Sequence, residues 1–237
     1  MKTSLLMATV LIIGFHGLAK EARNPLMDSD TVVWTGLDYS MVRMIGGNNF
    51  KYGFQAVDLI FPGMPEKWNQ LFLDERIEVA ANALGKRVSI DTSGVAARNK
   101  TATTNQIILT PGPKDVIKES HLTKQDIASA IRSYKMDKAN GLGLVFIVDR
   151  LVHRHHTPAS DAHGTSSLAT HTSGGAVYVV FFDIATRDVI SANRETASIS
   201  TGANFRNFWF GPIKDADKSL KQYKTPAPSS TTPKRFR

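Results

Sequence analysis

The chain has 237 residues, a formal net charge of +8 and no cysteine. Without cysteine it can form neither disulfide bonds nor a thioether-linked lipid anchor, so its fold must be stabilised by packing alone. Residues 224–237 hold four basic residues and no acid, which leaves residues 20–223 with a charge of only +3. Because the excess charge lies in one terminal segment and forms no basic stripe, nucleic acid is not expected as a partner.

Residues 1–19 have the composition of a cleavable signal peptide. Lys2 supplies the positive start, residues 5–15 are mainly apolar, and residues 17–19 place small side chains at the two positions that signal peptidase reads. This apolar run is too short for a bilayer, which needs about 20 residues as a helix. We therefore expect cleavage after Ala19, a periplasmic or secreted protein, and no transmembrane segment in the mature chain.

Composition divides the remaining chain into three parts. Residues 20–30 are a polar connector, residues 31–223 are long enough for a single α/β domain with its own core, and residues 224–237 combine prolines, serines and basic residues. The last segment is predicted to be a disordered basic tail.

The first half of the domain predicts strands and one long helix. Residues 31–39 are rich in β-branched and aromatic side chains and predict a strand. Residues 46–63 contain four glycines and predict a loop. Pro65 suits the first turn of a helix whose apolar spacing continues to Leu84, just before Gly85. Short strands are predicted at residues 87–91 and 105–110.

A second helix has a clear start signal. Thr123 is a suitable N-cap with Asp126 at the third helical position, and Leu122 and Ile127 flank the cap as a hydrophobic staple. The helix is predicted to end near Lys135.

The second half contains the strongest strand patterns. Residues 142–152 and 176–184 are apolar at both odd and even positions, which predicts central strands that are covered on both faces. After a turn at 185–188, residues 189–198 are more polar and predict a strand nearer the edge. Residues 209–223 have helical apolar spacing and predict a helix that packs on the sheet. The order predicts an α/β fold, an α+β sandwich in which about three helices pack on one mixed sheet of about five strands.

Three segments resemble a known family. They are GLGLVFIVDRL at 141–151, YVVFFDIATRDVISANRETA at 178–197, and the opening strand VVWTGLDYS at 32–40. In order and pattern they are similar to the α/β domain shared by the curli-secretion lipoprotein CsgG, the N-terminal domain of TolB and related periplasmic lipoproteins. The resemblance implies an envelope-associated module for binding or assembly and not an enzyme. The chain differs from CsgG in having no lipid-bearing cysteine, so membrane tethering and pore assembly are not implied.

The connection between the two central strands is rich in histidine. Residues 152–175 form a 24-residue segment that holds five of the seven histidines, among them His171. Alternation along a strand would place His153 and His155 on one face, where imidazoles are suitable ligands for zinc or another transition metal. The candidate metal ligands are His153, His155, His156, Asp161 and His163. Their spacing matches no established motif, and a solvated, pH-sensitive loop or binding of another kind are the alternatives.

Two other segments are candidate interaction surfaces. Residues 204–210 place four aromatic side chains around Arg206, a composition typical of interfaces, so Arg206 and Trp209 are candidate contacts. The alternative is that this segment docks the last helix on the core. In the basic tail, Lys234 and Arg235 are candidates for weak contact with anionic envelope polymers.

Two aspartates close to the ends of the central strands are interpreted as structural. Asp149 is next to Arg150 in the sequence. Asp183 precedes a turn, and its carboxylate can accept hydrogen bonds from the backbone of that turn. No nucleophile elbow, phosphate-binding loop or dinucleotide fingerprint is present, so no catalytic residue is predicted.

The sequence therefore favours an exported, non-enzymatic binding module that contacts an envelope protein, with the predicted edge at 189–198 as a docking surface. No cofactor is predicted for this function. Two alternatives stay open: a metal-binding protein that uses the histidine-rich segment, and an adhesion protein that uses the basic tail.

Overall fold

A computed structural model describes residues 25–46, 63–108, 117–156, 170–200 and 205–224. The strands of its single mixed sheet are β1 Thr31–Asp38, β2 Arg43–Ile45, β3 Arg87–Ile90, β4 Ile107–Ile108, β5 Leu142–His156, β6 Thr170–Asp183 and β7 Val189–Ser200. The α-helices are α1 Pro25–Asp28, α2 Gly63–Glu75, α3 Ile77–Leu84, α4 Ser93–Asn99, α5 Lys124–Ser133 and α6 Phe205–Ser219. None of the helices in these described ranges has the length and apolar character needed to cross a membrane.

Strand β5 is the centre of the sheet. On one side it pairs in parallel with β1 along its first half and with β2 along its second half. On its other side it pairs with β6 in antiparallel orientation, and β6 pairs in turn with β7. Strands β3 and β4 complete the sheet beside β1 and β2. The main sheet therefore runs β3-β1-β5-β6-β7, with β2 and β4 extending the β1 side.

Helices cover both faces of the sheet, as the doubly apolar strands require. On the face that we call the α6 face, α2, α3 and α6 pack on a core in which Trp34 stacks on Phe72 at 4.2 Å and meets Phe146 edge-on at 5.0 Å. On the α5 face, α4 and α5 pack on a smaller core that includes Val145 and Ile147 of β5. The result is an α/β/α arrangement of three layers.

The predicted capping signals are present. The Thr123 side chain accepts a hydrogen bond from the backbone N–H of Asp126, whose carboxylate accepts one from the Thr123 N–H at 2.8 Å. Leu122 and Ile127 are both buried against the α5-face core. Gly85 ends α3 with a φ of +64°, a left-handed conformation that favours glycine.

The predicted fold class is confirmed, and the predicted strands and helices are found with three corrections. The single helix from Pro65 to Leu84 was wrong: Arg76 has a φ of −124°, which is not helical, and separates α2 from α3. Arg76 instead directs its Nε to Asp217 of α6 at 2.9 Å. The strand predicted at 105–110 is reduced to the two residues of β4 within the described part of the chain.

The third correction concerns the histidine-rich connection. Residues 152–175 are not one long loop, because β5 continues to His156 and β6 already begins at Thr170. Two short elements, β2 and α4, were missed, and one helical turn, α1, lies in the predicted connector. Residues 1–24 and 225–237, which include the predicted signal peptide and tail, lie outside the described residues.

Two asparagine amides take the place of a neighbouring strand at the end of β1. Asn69 of α2 accepts from the Leu37 N–H at 2.7 Å and donates to the Leu37 carbonyl at 2.9 Å. Asn99 of α4 accepts from the Tyr39 N–H at 2.7 Å. Because buried backbone groups must be paired, these amides allow α2 and α4 to close the sheet beyond the end of β3.

A glycine in β5 tests how tightly the α5 face is packed. A methyl group at Gly143 would lie 2.4 to 2.7 Å from three ring atoms of Phe182. We expect Gly143→Ala to lower the free energy of unfolding by about 1 to 3 kcal/mol, since overpacking forces the ring to move. Gly63→Ala is the control, because its methyl group would meet nothing within 4 Å. Equal urea-unfolding midpoints for the two variants would contradict the packing described.

Candidate functional site

Strand β7 forms one edge of the sheet. It has 12 residues, it pairs with β6 from Val189 to Ser200, and it has no second strand neighbour among the described residues. The more polar pattern of 189–198 predicted this position. Ala192, Asn193 and Thr196 in its middle are exposed. A row of main-chain donors and acceptors is therefore available along the outer side of β7.

Arg194 fixes the middle of β7 to the body of the protein. Its side chain crosses the α5 face, where Nε lies 2.7 Å and Nη2 2.6 Å from Oδ2 of Asp149. The same guanidinium donates to three successive carbonyls in the segment before α5, those of Ile117, Lys118 and Glu119, at 2.7, 3.1 and 3.2 Å. One side chain thus connects β7, β5 and the approach to α5.

Asp149 is the buried carboxylate at the centre of this arrangement. It lies at an irregularity of β5, where the pairing with β6 passes from Val148 directly to Arg150, and its side chain is 0% exposed. Its second oxygen, Oδ1, forms an ion pair with Nδ1 of His121 at 2.6 Å. Burial alone would raise the pKa of Asp149, but His121 and Arg194 outweigh this effect and hold the pKa below its ordinary value.

Both ring nitrogens of His121 face acceptors. Nδ1 lies against the Asp149 carboxylate, and Nε2 lies 2.9 Å from the carbonyl oxygen of Met41, in the connection between β1 and β2. Asp149 therefore lies between the His121 ring and the Arg194 guanidinium, and we call Asp149, His121 and Arg194 the ion cluster.

On the α6 face, β7 is held by the C-terminal end of the described chain. The Asn193 amide contacts the hydroxyl of Tyr223, which lies in the 3-10 turn Leu220–Tyr223 after α6. The ring of Tyr223 also packs against Phe181 of β6, at 4.8 Å between centroids. Side chains on both faces thus hold β7, while its outer edge is left open in the described structure.

A second buried carboxylate closes the end of β1. Asp38 accepts from Nε of Arg98 at 3.0 Å and from the Tyr134 hydroxyl at 2.8 Å. Burial first, and then the neighbouring Asp38, raise the pKa of Tyr134 well above its usual value, so the phenol stays a neutral donor. Arg98 also donates to Ser40 and Ser133. These groups join β1, α4 and α5 and have the character of a structural network.

Two clefts lie elsewhere on the surface. One, of about 320 Å³, lies between α2 and α4 and is lined by Glu66, Gln70 and Lys100, among others. The other, of about 620 Å³, lies at the end of α3, where Lys224 packs along Gly85 next to Lys86 and Arg87. The basic tail thus begins beside two other basic residues.

The predicted site residues are only partly within the described structure. His153, His155 and His156 lie in β5, and Arg206 and Trp209 lie in α6, but only their backbone is described. The other candidates lie outside the described residues: Asp161, His163, Lys234 and Arg235. Among the side chains that are described, no group of three histidine or acidic residues is arranged to hold a metal ion.

The two aspartates interpreted as structural have specific roles. The Asp183 carboxylate accepts from the Thr186 N–H at 2.8 Å, as predicted for the turn. The partners of Asp149 were not found from the sequence, which suggested its neighbour Arg150. His121 and Arg194 are separated from Asp149 by 28 and 45 positions. A lone aspartate in a run of apolar residues was the signal that this strand buries a compensated charge.

No protein-family model and no curated protein matches the sequence. The similarity to the CsgG and TolB domains therefore stays a prediction from the sequence pattern.

Removal of the central charge tests the ion cluster. Asp149→Asn leaves His121 and Arg194 without their buried counter-ion, and we expect the free energy of unfolding to fall by about 3 to 5 kcal/mol. The matched control is Asp183→Asn, which removes the charge of an aspartate at the end of β6 and should cost about 1 kcal/mol or less. Similar losses for the two variants, measured by urea denaturation, would show that the cluster does not hold the fold together.

The stability difference between the original protein and Asp149→Asn should also depend on pH. The pKa of Asp149 is lower in the folded chain than in the unfolded one, so its contribution is complete above the unfolded value of about 4 and is lost as the pH falls through the folded pKa. The stability difference between the original protein and Asp149→Asn should thus shrink below about pH 4. If this stability difference grew as the pH fell, the pKa of Asp149 would be raised in the folded chain, which would contradict the ion pairs described.

Proposed function

We propose that this chain is an exported binding module that takes up an extended segment of an envelope protein as an additional strand beside β7. The observation that carries the proposal is the open outer edge of a 12-residue strand in the described structure. An edge strand offers hydrogen-bonding groups at fixed spacing, and an extended peptide is the ligand that can satisfy them. The chemistry of the edge therefore specifies the kind of partner.

The composition of β7 supports this proposal. Exposed edge strands are usually protected by lysine, proline or shortness, because an open edge invites pairing with other chains. Residues 189–200 contain neither lysine nor proline, and Arg194 and Glu195 are their only charged residues. The Arg194 guanidinium is turned inward to Asp149 and is not exposed along the edge.

The rigidity of the edge also supports binding. Arg194 fixes β7 from the α5 face, and Asn193 contacts Tyr223 on the α6 face. A strand held in this way loses little conformational freedom when a peptide pairs with it, so more of the hydrogen-bond energy contributes to affinity.

Export and envelope location rest on the sequence of residues 1–19, which has the composition of a signal peptide. The resemblance to the CsgG and TolB domains points to the same compartment. A binding role also agrees with the ion cluster, whose groups contact one another and the backbone.

Proline substitution tests the edge directly. In an antiparallel strand, successive residues direct their N–H groups to opposite sides, so either Ala192 or Asn193 directs its N–H outward. Of Ala192→Pro and Asn193→Pro, we expect the one whose N–H pairs with β6 to lower the thermal midpoint more, because proline is tolerated at an unpaired edge position. The variant with the higher midpoint is the probe for binding. If that variant is Asn193→Pro, Asn193→Ala is its matched control, since it also loses the side-chain contact with Tyr223.

Binding of the partner is measured with a photo-crosslinking amino acid that replaces the exposed Thr196. In the control, the same photo-crosslinking amino acid replaces the exposed Glu66 of α2. We expect one discrete adduct from position 196 in cells that export the chain, none from position 66, and loss of the adduct in the probe proline variant. An adduct that survives the outward-facing proline would refute strand addition.

A further inference from the structure

The described backbone brings three histidines to one face of the β5-β6 ribbon. Beyond the irregularity at Asp149, the pairing of β5 with β6 continues without interruption from Arg150 and Ala176 to His156 and Thr170. Within this stretch His155 pairs directly with His171. The connection that the sequence presented as a long loop is therefore an ordered two-stranded ribbon up to these positions.

Alternation along the strands decides which residues share a face. His153 and His155 are two positions apart on β5, so they occupy the same face, and the partner of His155, His171, occupies that face as well. Arg154 and His156 occupy the opposite face. The ribbon thus gathers three histidines on one side and places the intervening arginine on the other.

The spacing of these positions suits one metal ion. Directly opposed residues in antiparallel strands have Cβ atoms about 4.5 to 5.5 Å apart, and diagonal neighbours are about 7 to 8 Å apart. Residues two apart on a strand are separated by about 6.5 Å. Three positions at this spacing on one face of an antiparallel pair are close enough for histidines to share one tetrahedral zinc ion, whose nitrogen ligands lie about 2.0 to 2.1 Å from the metal.

We propose that His153, His155 and His171 form a three-histidine binding site for a transition-metal ion, with zinc as the metal it takes. Imidazole is a good ligand for Zn²⁺, and a chain without cysteine has no thiolate to redirect the metal. Three protein ligands leave one tetrahedral position for water or an exogenous ligand, as in catalytic zinc centres.

This set differs from the one that the sequence suggested. His156 does not share the face of His153 and His155, so it is not a ligand of the same ion. His171 replaces Asp161 and His163 as the third ligand, because strand pairing places it opposite His155. The sequence alone did not indicate that His155 pairs with His171, because the two residues are 16 positions apart.

The test uses the full chain after signal removal, purified without a histidine tag, treated with chelator and titrated calorimetrically with zinc chloride. We expect one zinc per chain and at least a tenfold loss of affinity for each of His153→Ala, His155→Ala and His171→Ala. Binding should also weaken below about pH 6.5, where imidazoles become protonated. Cobalt(II) in place of zinc should give the intense visible absorption of a tetrahedral site.

His156→Ala is the matched control, since it removes a histidine from the same ribbon but from the opposite face. It should bind zinc as the original chain does. The conservative variants His155→Gln and His171→Gln, checked by thermal midpoint without metal, separate loss of a ligand from loss of the ribbon. The proposal is overturned if His156→Ala weakens binding as much as His155→Ala, if His163→Ala abolishes binding while His171→Ala retains it, or if zinc does not bind.

Discussion

The position of β7 in the described fold depends on a buried charge, the carboxylate of Asp149 in the central strand. An isolated carboxylate in a protein interior costs several kcal/mol, so its position is acceptable only with compensating partners in place. The Arg194 guanidinium of β7 and the His121 ring, on the approach to α5, lie against it. Because each also contacts backbone carbonyls, the need to compensate one charge fixes the positions of four separate chain segments.

This constraint explains why β7 combines an open edge with a firm position. Edge strands are normally the least stable part of a sheet, since they pair on one side only. Here the inward anchor at Arg194 adds an ionic contact to the pairing with β6, so the strand can be rigid without a second neighbour. The proposed strand addition and the proposed metal site then lie in the same part of the sheet but use different groups, main-chain amides in one case and imidazoles in the other.

Patterns that depend on neighbouring residues predicted much of the fold. The doubly apolar runs of β5 and β6, the capping box at Thr123 and the Gly85 stop signal were all recognisable, because each is decided by local spacing. Elements shaped by distant contacts were not. Strand β2 has only three residues, and the break at Arg76 accompanies a contact with Asp217, 141 positions away.

The candidate site was predictable to a similar extent. The polar pattern of 189–198 indicated an edge, and Asp149 was interpreted as a structural aspartate beside Arg150. The identities of its partners, and the pairing of His155 with His171, depend on strand register, which no local pattern specifies. The strand structure also changes the set of candidate metal ligands, because His156 occupies the opposite face of β5 from His153 and His155.

Amide-resolved hydrogen exchange along β7 tests the central claim most directly. If β7 is a rigid strand with one open edge, every second amide from 190 to 197 should be protected by pairing with β6 to a degree close to that of β5, and the amides between them should exchange rapidly. Uniform protection would mean that the edge is already covered, and uniform rapid exchange would mean that the ion cluster does not hold the strand in place. Either result would contradict the account.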